Sequence, residues 1–333
     1  MGNIKDNVKR AIHFQYPDYI PLMYYDHNLI EKTDVVSIFV TELAGGPGHD
    51  TSEWGFRWEL EKNDQGFYAP GSVKYPAITS WDQLKNYKPL VAKKSGRFDY
   101  AQKLMSKYPD RYYVANCEAS NFTLCAYIRG FEDFLCDLYE EPENVRKLID
   151  IVFDAEEDLI GECAAAGFDA VWWEDDWGTQ LAPIVNPELL REFFLPRMKK
   201  AVDLAHSLGI DIWLHSCGYI YDLIPDLISI GIDGLNLGQV SLNGVERMGK
   251  EFGGKICFLT PGNYQSTGIT GTVQEIFDEI EKFTIHLNTE KGGMVGLVSA
   301  VSTRLGYGAP LENALALPRA FEKYCGRWNP IKR

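Results

Sequence analysis

From about residue 110 to the C-terminus, apolar strand-like runs alternate with amphipathic helical stretches, and this rhythm limits the fold more than any other feature. The runs fall at 112–117, 168–174, 210–216, 232–237, 255–260 and 293–299, with helical patterns at 142–166, 187–208, 220–230 and 272–287. Asn186-Pro187-Glu188 and Thr272-Val273-Gln274-Glu275 read as helix starts, a capping side chain followed by a first-turn acid. Gly167, Gly209 and Gly231 each close a helix ahead of the next strand. Strand, helix and strand at this interval give parallel β/α architecture. Two earlier runs, 19–25 and 35–43, bring the strand count to eight. No glycine-rich phosphate loop follows an early strand, so a closed (β/α)8 TIM barrel is predicted over a doubly wound sheet. Residues 1–333 are read as one barrel domain. Residues 44–95 break the rhythm with Gly45-Gly46-Pro47-Gly48 and Trp81-Asp82-Gln83-Leu84, which predicts an N-terminal insertion or lid over the barrel mouth.

Charge narrows the partners. A formal net charge of -14 argues against nucleic acid, because phosphate binding needs clustered Lys and Arg, and disfavours an anionic membrane surface. No run approaches the ~18 apolar residues of a membrane span. The N-terminal Met1-Gly2-Asn3-Ile4-Lys5-Asp6 has no apolar signal core. The seven cysteines are scattered and mostly lie in apolar runs, as buried reduced thiols do. These readings together predict a cytoplasmic protein.

In parallel barrels the C-terminal strand ends carry the active site. Ile210-Asp211-Ile212-Trp213-Leu214 runs into His215-Ser216-Cys217-Gly218. Side-chain direction repeats every two residues along a strand, so His215 and Cys217 share a side. An imidazole and a thiolate so placed can share one Zn2+; they also read as a hydrogen-bonded core histidine beside a buried free cysteine. A second strand, Phe168 to Trp173, leads into Glu174-Asp175-Asp176. Three successive carboxylates repel unless a cation, a proton or a shifted pKa compensates them; a solvated acidic loop capping the next helix is the alternative. Tyr25 and Asp26 follow an early strand and Glu118 follows Asn116-Cys117, so all three are candidates to line the pocket. Trp172, Trp173, Trp177 and Trp213 flank the two chief motifs. Barrel packing accounts for most of them, while a flat aromatic ligand would need such surfaces, with Trp173 the candidate contact. His13, His49, His206 and His286 stand in no recognisable constellation.

The run from His215-Ser216-Cys217-Gly218 through Tyr221-Asp222-Leu223-Ile224-Pro225, with Gly231-Ile232-Asp233-Gly234-Leu235-Asn236, resembles the uroporphyrinogen decarboxylase superfamily. Asp176-Trp177-Gly178-Thr179-Gln180, Pro17-Asp18-Tyr19-Ile20-Pro21, Glu53-Trp54-Gly55 and Pro310-Leu311-Glu312-Asn313 extend the resemblance over nearly the whole chain. It implies a (β/α)8 barrel, in agreement with the strand count. The superfamily's porphyrinogen decarboxylases carry an N-terminal Arg-Gln-Ala-Gly-Arg signature that grips substrate carboxylates, whereas Pro21 to Asn28 contains no arginine.

The other branch that the resemblance implies is the zinc methyltransferases that exchange methyl groups with the cobalamin of a corrinoid protein. Its thiol-methylating members are implied to hold Zn2+ through a His-x-Cys pair and a later Cys. His215 and Cys217 match the pair, but Ser299 to Gly308 has no cysteine. The resemblance therefore leaves one ligand to be replaced, and Glu174 is the expected substitute, with Asp175 or Asp176 as general acid. A carboxylate-richer Zn2+ is a harder Lewis acid, suited to an ether oxygen. The expected activity is methyl transfer from a small donor, an aromatic methyl ether (O-demethylation), to a partner corrinoid protein. The alternatives are a decarboxylase of a porphyrinogen or smaller carboxylate, and a non-catalytic module that binds ligand at the mouth.

Overall fold

A computed structural model of the chain describes residues 3–43, 50–62, 68–263 and 265–331. Its strands are β1 (Leu22–Tyr24), β2 (Val35–Phe39), β3 (Arg57–Lys62), β4 (Tyr68–Tyr75), β5 (Tyr112–Asn116), β6 (Ala170–Glu174), β7 (Asp211–Ser216), β8 (Gly234–Leu237), β9 (Cys257–Pro261) and β10 (Met294–Val298). Eight of them close a parallel barrel in chain order, β1-β2-β5-β6-β7-β8-β9-β10, and β10 pairs back onto β1. All eight predicted strands are present, with ends shifted by a few residues. The predicted helix 187–208 is two helices, Pro187–Phe193 and Leu195–Ser207. Pro196 has no N–H to give and its ring crowds the preceding turn, so the chain restarts there.

Parity along each strand sorts the barrel into two cores. Met23, Val35, Tyr112, Val114, Ala170, Trp172, Trp213, Cys257, Leu259, Val295 and Leu297 point inward and fill the barrel. Their neighbours point outward under the helices. Inside, Trp213 stacks on Tyr112 with ring centroids 5.6 Å apart and meets Trp172 edge-on at 5.9 Å. Each such pair contributes about 0.5–1.5 kcal/mol beyond its buried area. These rings seal the middle of the barrel.

The lower end is closed by the first helix, Ile4–Ile12, started by Asn3, whose side chain accepts the Asp6 amide. Val8 and Ile12 of this helix join the inward core, and Gly293, just before β10, donates its amide to the Ala11 carbonyl. The opposite rim receives the strand C-termini. The insertion between β2 and β5 leaves from that rim and contains the antiparallel pair β3–β4. Trp58 on β3 donates its indole N–H to the Leu43 carbonyl and packs edge-on against Tyr127 of the helix Asn121–Arg129, which follows β5. Gly45-Gly46-Pro47-Gly48 and His49, both within the expected lid, lie outside the described residues. Among the described residues no helix is long and apolar enough to cross a membrane.

Candidate functional site

The alternation that buries Trp172 and Trp213 inside the barrel turns the pair two residues further on inward as well, one layer higher. Glu174 on β6 and His215 on β7 are register partners, and His215 is in turn the partner of Asn236 on β8. Beyond the strand ends, Asp176 and Cys217 keep the same parity. Among the described residues, Asp176, His215 and Cys217 bring one ligand atom each to within 4.8 Å of one another at the mouth. The His215 Nε2 lies 3.4 Å from the Cys217 sulfur and 3.4 Å from Asp176 Oδ1.

Neighbouring groups aim these side chains. Asn236 donates its amide N–H to the Leu259 carbonyl, which leaves its Oδ1 to accept from His215 Nδ1 at 2.6 Å. That fixes a proton on Nδ1 and turns Nε2 toward Cys217 and Asp176, as an orienting partner does for a metal-binding histidine. The Cys217 amide donates to Asp176 Oδ1 at 2.8 Å. The two loops touch backbone to backbone: a Cβ on Gly218 would lie 2.3 Å from the Gly178 carbonyl carbon, and one on Gly178 would lie 2.6 Å from the Cys217 oxygen. Only glycine at both positions lets the Asp176 loop reach the Cys217 loop. Gly238 gives the sulfur its room, since a Cβ there would sit 2.9 Å from Cys217 Sγ.

Electrostatics at this point favour a cation. Burial acts to lower the His215 pKa, but the hydrogen bonds to Asp176 and Cys217 win and hold it well above its ordinary value. Burial acts to raise Asp176, and the contacts with His215 and the Cys217 amide bring it below the usual carboxylate range. A carboxylate and a thiol thus face Nε2 and draw positive charge to it. Donor chemistry and spacing both fit Zn2+. From the usual metal–ligand distances, tetrahedral ligands lie about 3.6 Å apart for N to S and about 3.4 Å for N to O. Three protein donors leave a fourth position for substrate, the pattern of catalytic zinc.

The predicted residues sort differently from expectation. Glu174 is at the mouth but is not in the converging group; its Oε1 accepts from the Asn116 side chain at 2.7 Å. Asp176 joins the group instead, because it lies two residues before Gly178, where its loop packs against Gly218. Asp175 has the opposite parity and is fully buried, accepting the Thr123 amide at 2.8 Å and the Phe122 amide at 3.3 Å at the start of the helix after β5. Burial pushes its carboxyl up to about 7 against those bonds, but it faces away from the mouth. Trp173 also points outward, edge-on to Phe153 and without exposed surface. Trp172, Trp177 and Trp213 are equally buried, so no tryptophan of the two motifs offers a face to a ligand.

Aromatic surface at the rim comes instead from Tyr25, 6.1 Å from Trp172, and from Phe39, which is 59% exposed at an inward position beside Asn116. Asp26 spends one oxygen on the Asn28 amide, capping the turn after β1. Glu118 sits in the left-handed region at φ 44°, its amide held by Asn116 Oδ1 and its Oε2 accepting from the Leu43 amide. Burial, with Glu174 nearby, pushes the Glu118 carboxyl up to about 7. Asn116, Asn236, Gly178 and Gly238 were not among the predicted site residues. The signal for Asn236 is its inward parity one strand along from His215; for the others it lies only in contacts between loops.

The last inward layer of the strands and their extensions reads Tyr25, Phe39, Asn116, Glu174, Asp176, His215, Cys217, Asn236, Pro261 and Ser299, without one Lys or Arg. A closed (β/α)8 barrel with a His-Cys-Asp group at its mouth is the class that fold and site define. The uroporphyrinogen decarboxylase (URO-D) family matches residues 68–324, and the chain belongs to that family. No match is found among curated protein sequences. Among solved structures, a methyltransferase from Methanosarcina mazei superposes with a TM-score of 0.68 at 15% identity, over 97% of this chain and 99% of that one. A D-psicose 3-epimerase, solved in the presence of D-fructose, gives a TM-score of 0.44 at 9% identity over 73% and 85% of the two chains. The first likeness is one of fold; the second carries no argument.

Proposed function

We propose that this chain is a methyltransferase that moves a methyl group between a small methyl donor, an aromatic methyl ether in the first instance, and the cobalamin of a partner corrinoid protein. The observation that carries this reading is the convergence of His215 Nε2, Cys217 Sγ and Asp176 Oδ1 on an open mouth, with Asn236 fixing the imidazole. These three residues would hold Zn2+, which when bound supplies a Lewis acid to the heteroatom that carries the methyl group. Asn236 keeps the Nε2 lone pair pointed at the site, and the Gly178–Gly218 contact keeps Asp176 beside Cys217. Phe39 and Tyr25 give the donor an apolar seat. Glu118, whose carboxyl is raised to about 7, would be the proton donor to the departing oxygen. Asp175 is out of reach of that role.

Porphyrinogen decarboxylation fits less well. A substrate with many carboxylates needs cations, and the inward layer offers Glu174 and Asp176 but no Lys or Arg. The test is to incubate the enzyme with Zn2+, reduced corrinoid protein and a panel of methoxyarenes, methylamines and methylthiols. Appearance of methylcobalamin with release of the demethylated product supports the reading. Turnover of uroporphyrinogen without corrinoid overturns it.

A further inference from the structure

At the other end of the barrel, β6, β7 and β8 begin beside three acids: Asp169, Asp211 and Asp233. The first helix lays a ladder across them, Lys5, Lys9 and His13, one residue per turn. Lys5 Nζ is 2.7 Å and Lys9 Nζ 3.3 Å from the Asp169 carboxylate, so that acid is met by two permanent cations. The other two are not. Asp211 is met by His13, Nε2 to Oδ1 at 3.1 Å, and Asp233 by His206 at 2.8 Å. Both carboxylates are nearly buried, 13% and 12% exposed, and His13, Asp211 and Asp233 each bring a ligand atom within 4.8 Å of the others. Two such carboxylates side by side repel unless a cation sits between them. Each is held from behind: the buried Tyr112 hydroxyl donates to Asp211 Oδ2, and the Ile212 amide donates to Asp233 Oδ2 at 2.8 Å.

We infer that His13, Asp211 and Asp233 form a second divalent-metal site, on the floor of the barrel, which ties the N-terminal helix to β7 and β8. One imidazole and two carboxylates suit Zn2+ and its first-row neighbours. Tyr112, Ile212 and His206 act as the outer groups that fix the carboxylates. The site contains no sulfur and lies across the tryptophan layer from the mouth, so its role is structural and separate from methyl transfer.

The test uses the full chain with the mouth group disabled, His215→Ala with Cys217→Ser, stripped of metal and titrated with Zn2+ by calorimetry. One equivalent should bind and raise Tm. Adding His13→Ala or Asp233→Asn should weaken that binding at least tenfold and remove the rise in Tm. In the wild-type enzyme, where folding of the double variant is not at issue, Co2+ should bind in two equivalents, and only one should bring a thiolate-to-cobalt absorption band. Failure of the disabled chain to bind zinc, or binding unmoved by His13→Ala and Asp233→Asn, overturns the site. So does a single cobalt equivalent in the wild-type enzyme that carries the thiolate band.

Discussion

At their N-terminal ends β6, β7 and β8 start beside Asp169, Asp211 and Asp233; near their C-terminal ends the same strands carry Glu174, His215 and Asn236. The lower acids are covered by a helix, and each already has a basic partner within 3.3 Å. The upper group is partly open, and its sulfur, imidazole and carboxylate face one another instead of a solid neighbour. Charge at the floor, with the metal inferred there, thus holds the plug, whereas charge at the mouth converges on a point that is open to substrate. This is the division expected of (β/α)8 barrels, stability below and chemistry above. Substitutions at the two ends should therefore fail in different ways.

The largest effect is expected at the mouth. His215→Ala or Cys217→Ser should lower methyl transfer by about a hundredfold or more while thermal unfolding changes little, since removing a metal ligand exceeds the usual outer-group loss. Asn236→Ala, which only frees the imidazole, should weaken metal binding by roughly 10–100-fold. Comparable losses of activity from Asp169→Ala would break the comparison. That floor substitution should instead cost about 2 kcal/mol of stability, because it strands Lys5 and Lys9 and the Tyr113 amide, and leave turnover per folded molecule unchanged. Denaturant unfolding beside a rate assay separates the two.

A smaller effect belongs to neither end. Glu156 is buried behind β6, where it accepts the Asn121 amide, and burial pushes its carboxyl up to about 8. An acid raised in the folded state binds its proton there while the unfolded chain has already lost it. Stability from this group is therefore present below the ordinary carboxylate range and falls as pH climbs through about 8. Glu156→Gln should flatten that decline, with a gain on the order of 1–2 kcal/mol at alkaline pH and none at pH 4. Parallel pH–stability curves for the two proteins would contradict this.

The smallest expected effect is at Glu174. Its carboxylate is held by Asn116 outside the converging group, so Glu174→Gln should keep the metal and lose only a few-fold in rate, whereas Asp176→Asn should lose both. Metal loss from Glu174→Gln with retention in Asp176→Asn would exchange their roles.

The fold was legible because strands buried on both faces read as unbroken apolar runs with a glycine before them, and that pattern is local. Half of the site was legible for the same reason: period two puts His215 and Cys217 on one side. The same alternation pairs Glu174 with Asp176 and turns Asp175 and Trp173 outward, a signal that is present in the sequence but is obscured by three consecutive acids. That Asp176, and not Glu174, lies beside His215 and Cys217 was not legible, since it depends on Gly178 meeting Gly218 across two loops. Nor was the floor ladder. His13 and His206 look isolated along the chain, because the acids they meet are on strands that only the closed barrel brings beneath them.

Cobalt substitution tests the central claim most directly, because Cys217 belongs to the mouth group and the floor group of His13, Asp211 and Asp233 contains no cysteine. Wild-type enzyme loaded with Co2+ should show a thiolate-to-cobalt charge-transfer band. The band should disappear in Cys217→Ser, weaken sharply in Asp176→Asn, and persist in Glu174→Gln and His13→Ala. Cobalt bound without that band, or a band that survives Cys217→Ser, would contradict a metal centre built on His215, Cys217 and Asp176.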